Sequence, residues 1–107
     1  NTPLQALVTL NDPVYLEAAL AFAKLHSKKP HEEAIKDMFE FATYRELSDD
    51  KLNSLLNLYN DSSDFYTKSP DGLNDFYLEN KKVSKKVASL AIVASAIMNL
   101  DEFLTHG

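Results

Sequence analysis

Among side chains that commonly carry chemistry, the sequence has 3 histidines, 16 carboxylates and no cysteine. Without thiols there is no disulfide, thiolate zinc site, CxxC redox pair or CxxCH haem attachment within these residues. His26 and His31 flank a predicted helix break, with Glu32 and Glu33 adjacent. A helical metal site presents its ligands on one face, as HExxH does, and that spacing is absent. His26 reads instead as a helix C-terminal residue that suits the negative end of the dipole, and His106 stands in the terminal tail. No metal or cofactor ligand is assigned. Asp12, Glu32, Glu33, Asp49 and Asp50 fall in first helical turns, where capping and the helix dipole account for them. There is no Gly-rich phosphate loop, no GxSxG elbow and no defensible triad order, so no catalytic residue is assigned either. Lys81, Lys82, Lys85 and Lys86 form the main basic run. Read as a solvated first helical turn it needs no ligand; an acidic partner or an anionic glycan, given Phe76 and Tyr77 nearby, is the lesser alternative.

The elements that would position these groups are helical. Gly is only 2, and apolar residues recur at helical spacing along nearly the whole chain. Thr2-Pro3-Leu4-Gln5 is a capping-box pattern opening a short helix. Asp12-Pro13 caps the next, and from Val14 to Leu25 nearly every residue is apolar except Glu17 and Lys24. So little polar surface predicts a central helix buried on most sides. A third helix starts around Pro30, with Ile35, Met38, Phe39 and Ala42 inward, and a fourth at Ser48-Asp49-Asp50 carries Leu52, Leu55, Leu56 and Tyr59. Asp61 to Lys82 is the least regular stretch, with a turn at Ser69-Pro70-Asp71-Gly72. The last long helix starts near Val83 and ends at Asn99, followed by an apolar tail of Leu100, Phe103 and Leu104. The expectation is an all-α fold: one domain over residues 1–107, an irregular bundle of four to six helices around a central apolar helix. Its most buried pair would be Val14–Leu25 and Val87–Met98.

At 107 residues with 45% hydrophobic content, the chain can build one core without staples. A net charge of −5 disfavours nucleic acid, whose affinity comes mainly from neutralised phosphates. The longest apolar-rich run, Val87 to Met98, falls short of the ~20 residues that a membrane span needs. The opening Asn1-Thr2-Pro3, with no Met and no signal-type stretch, reads as part of something longer.

Two strings are specific: NTPLQALVTLNDP at Asn1–Pro13 and NLDEFLT at Asn99–Thr105. Together they resemble the C-terminal end of the planctomycete-type domain of unknown function 1553 family, in an order that spans the whole chain. The family's Gly-Arg-x-Pro turn is reduced here to the Arg of Tyr44-Arg45-Glu46-Leu47; Lys51 replaces a common Glu, and Leu90 a common Trp. The resemblance implies a large exported protein, periplasmic or at the cell surface, of Planctomycetes or Bacteroidetes. Such proteins often carry a cytochrome-c-like haem domain upstream, so any haem is expected outside this chain. The expected role is a non-catalytic helical packing module at the C-terminus, with the parent's upstream domains as partners. The alternative is a contribution to the active site of a haem-linked redox or polysaccharide-processing parent. For that, or for domain contact, the polar candidates are Asn11, Asp12, Arg45 and Asp101.

Overall fold

The computed structural model describes residues 13–73, 77–78 and 81–99. Four helices run through them: α1 Pro13–His26, α2 His31–Thr43, α3 Asp49–Lys68 and α4 Lys85–Met98. A 3₁₀ turn at Pro70–Leu73 and a two-residue antiparallel ladder, β1 Tyr77–Leu78 with β2 Lys81–Lys82, connect α3 to α4. The ladder is too short to form a layer, so the fold is the all-α bundle that the sequence predicts. The short helix expected after Thr2, the cap at Asp12 and the tail from Leu100 lie outside the described residues.

α4 is the centre of the bundle. Its sequence is apolar on every side, and 10 of its 14 residues are buried. Such a helix must be surrounded, and α1, α2 and α3 all pack against it. It starts two residues later than the apolar pattern suggests, because Ser84 is the cap, its hydroxyl accepting from the Val87 amide at 3.2 Å. Asn99 ends it as expected. The same device opens α3, where Ser48 accepts from the Lys51 amide at 3.3 Å.

Two expectations need correcting. The stretch from Asp61, expected to be an irregular, surface-pinned loop with some short helix, instead continues α3 as far as Lys68, through Asn60-Asp61-Ser62-Ser63-Asp64, residues of poor helix propensity. The helical stripe nonetheless goes on: Leu55, Tyr59, Ser62 and Tyr66 are all buried, and the Ser62 hydroxyl returns to the Leu58 carbonyl at 2.7 Å. Burial of Tyr66 against the core outweighs the local preference for a loop. Gly72 closes over that ring, since a Cβ there would stand 3.2 Å from Tyr66 Cε1.

The second correction concerns α1, which is not buried on most sides. Ala19, Leu20 and Ala23 are fully buried, whereas Val14, Ala18, Ala21 and Leu25 are exposed. At ~100° per residue the exposed four share an arc of about 60°, opposite the buried three. The helix is apolar on two opposite faces, and the bundle covers one of them.

Candidate functional site

Arg45 is the one sequence-predicted candidate that falls within the described residues; Asn11, Asp12 and Asp101 lie outside them. Its position follows from how α2 ends. Tyr44 takes a left-handed conformation, φ 58°, and its amide donates to the Glu40 carbonyl at 2.9 Å. Buried Thr43 donates its hydroxyl to the Phe39 carbonyl at 2.8 Å and accepts from the Arg45 amide at 3.1 Å. The chain therefore turns sharply into Leu47, which is buried, and projects Arg45 outward. A left-handed residue is usually Gly or Asn, so tyrosine here carries some strain.

Arg45 borders an open concavity of about 560 Å³ with Glu40, Glu46, Asp49, Lys36 and Tyr44, floored by Leu47. A second hollow of about 600 Å³ continues along α2 past Glu33 and Asp37. Glu33, Asp37 and Glu40 share a stripe at i, i+4, i+7. Lys29 pairs with Asp37, and that hydrogen bond holds the Asp37 carboxyl below the ordinary carboxylate value. The charged side chains around Arg45 are all exposed. They can hold a polar ligand by surface contacts, but general acid–base work needs a positioned group in a site that limits water. Among the described residues no three of His, Cys, Asp or Glu cluster closely enough to hold a metal ion.

His26 and His31, the two histidines among the described residues, have structural partners. His26 Nδ1 lies 3.1 Å from the Phe22 carbonyl, one turn back. His31 stacks on Tyr59 with centroids 4.5 Å apart and rings 4° from parallel, tying the start of α2 to α3. Partial burial raises the Tyr59 phenol above its ordinary value.

The larger surface feature is apolar, and the sequence reading missed it. Val14 is 77% exposed, Leu25 73%, Phe41 66% and Tyr44 80%. Phe22 bridges α1 to α2, its ring 5.9 Å from Phe41 and 5.3 Å from His26. The outward stripe of α1 and Phe41 of α2 thus form one face, while exposed Tyr44 borders the concavity around Arg45. Its signal was present in the i, i+4, i+7, i+11 spacing of Val14, Ala18, Ala21 and Leu25.

No curated protein and no solved structure matches the chain. The profile of the PSD1 family, described as a protein of unknown function (DUF1553), matches residues 1–59. It takes in α1, α2, Arg45 and the first resembling string; the second string, Asn99–Thr105, lies beyond it. With more than half of its length matched, the chain belongs to the PSD1 family of proteins of unknown function (DUF1553).

Proposed function

We propose that this chain is a non-catalytic packing module at the C-terminus of a larger exported protein, and that the α1–α2 apolar face is where it meets the upstream domains. The carrying observation is the doubly apolar α1, whose outer stripe continues through Phe22 into Phe41. Contiguous exposed apolar surface of this kind marks an interaction site. Covering Leu25 and Phe41 is worth roughly 1.5–3 kcal/mol each before ordering costs. The C-terminal placement and the export rest on the family resemblance. A c-type haem has no attachment point here, because the chain has no cysteine; any haem of the longer protein is held by other residues.

The test is limited proteolysis of the longer protein carrying L25E and F41E. The packing role predicts faster release of the module than in the unsubstituted protein, while the 107-residue chain melts nearly unchanged. Equal release rates would contradict it. A second reading, a contribution to the active site of a haem-linked redox or polysaccharide-processing parent, is favoured by one observation: Arg45 beside Glu40, Glu46 and Asp49. Loss of turnover in Arg45→Ala of the longer protein, with unaltered melting, would favour that reading.

A further inference from the structure

The exposed stripe of α1 is complementary to itself. Val14, Ala18, Ala21 and Leu25 step by 4, 3 and 4 residues, the spacing of the seam between two packed helices. A second copy of the helix, turned end for end about a two-fold axis level with the Ala19–Leu20 peptide, sets the stripe on itself. Ala18 then faces Ala21 of the second copy, and Val14 faces Leu25. All four are exposed, so such a seam needs no rearrangement of the bundle. The alanines let the two helices approach at the centre, and the larger residues close the ends.

The charges beside the stripe set the direction. Glu17 and Lys24 are seven residues apart, so they lie on one flank of it, and both are exposed. Neither makes an ion pair with another described residue. In the antiparallel arrangement this flank meets the same flank of the second copy. Each Glu17 then lies within a turn of the other copy's Lys24, once on either side of the axis. In a parallel pair the flank meets the opposite one instead, where Phe22 leads to Phe41, and both charges are left without partners across the seam.

We propose that the outer face of α1 binds a second copy of this chain, as an antiparallel two-fold pair directed by Glu17 and Lys24. A contact of this kind uses the same patch on both copies and closes on itself, so association stops at two. The inference shares its open face with the packing role but needs no upstream domain; where upstream domains cover the face, they exclude the second copy. The seam is short, below the size class of stable complexes. The pair therefore forms in roughly the 0.1 mM range, and at low micromolar concentration the face stays open.

The test is sedimentation of the 107-residue chain from about 10 μM to about 1 mM, at low salt so that exposed charges are little screened. The average mass should rise from one chain to two and no further. E17K alone and K24E alone each set like charges across the seam twice over. Each should move the midpoint at least about threefold higher in concentration, and the double swap E17K/K24E should bring it back to within about twofold. Both positions are exposed, so circular dichroism should be native in all three variants. A chain still monomeric at 1 mM, or assemblies growing beyond two, would overturn the proposal. So would a dimer whose midpoint ignores the single swaps or is not restored by the double one. Proteolysis of the longer protein carrying L25E and F41E reads the packing role separately, so either reading can fail without the other.

Discussion

Leu20 and Leu25 are the same residue on the same helix, and they should respond to truncation very differently. Leu20 is 0% exposed on the face of α1 that meets the bundle, and Leu25 is 73% exposed on the opposite one. Leu20→Ala removes buried methyl groups and leaves a cavity that the helix contacts around it cannot fully close, costing ~3 kcal/mol within the 2–5 range for such changes. Leu25 keeps only about a quarter of its surface covered, so Leu25→Ala should cost ~0.5 kcal/mol. At roughly 4–8 °C per kcal/mol for a domain of this size, Leu20→Ala should lower the melting temperature by ~15 °C and Leu25→Ala by ~3 °C. Thermal unfolding of both variants of the 107-residue chain, followed by circular dichroism, measures the difference. Melts within a few degrees of each other, or a larger loss at Leu25, would refute the assignment of the two faces.

Ser84→Ala removes the cap of α4 and should destabilise the chain by ~1 kcal/mol, read from denaturant unfolding. Ser89→Ala should go the other way, raising stability by about 1 kcal/mol, because the Ser89 hydroxyl is buried without a hydrogen-bond partner. Burial holds the Tyr66 phenol well above its ordinary value of 10.0. Above about pH 10 the unfolded chain therefore releases that proton first, and stability should fall as pH rises; Tyr66→Phe should flatten this alkaline limb in melts recorded from pH 8 to 11.

The parts of the fold legible in the sequence were those with a local signal. Ser48 and Asn99 mark helix ends by their own chemistry, and the apolar-rich run of α4, interrupted only by Ser89 and Ser95 after its first turn, announced a helix in need of several neighbours. The continuation of α3 was hidden because Asp61 to Asp64 look like a loop, and the burial of Tyr66 that overrides them is a tertiary effect. α1 misled for a different reason: periodicity shows that both of its faces are apolar, but not which of them the chain itself covers. Arg45 was legible as a candidate, whereas the left-handed Tyr44 that projects it was not.

The central proposal is that this chain is part of a longer protein in which the α1–α2 apolar face is covered. Hydroxyl-radical footprinting of Leu25 and Phe41, in the 107-residue chain and in the proposed longer protein, tests it most directly. The account predicts strong labelling of both in the short chain and protection of both in the long one. Equal labelling in both would contradict it.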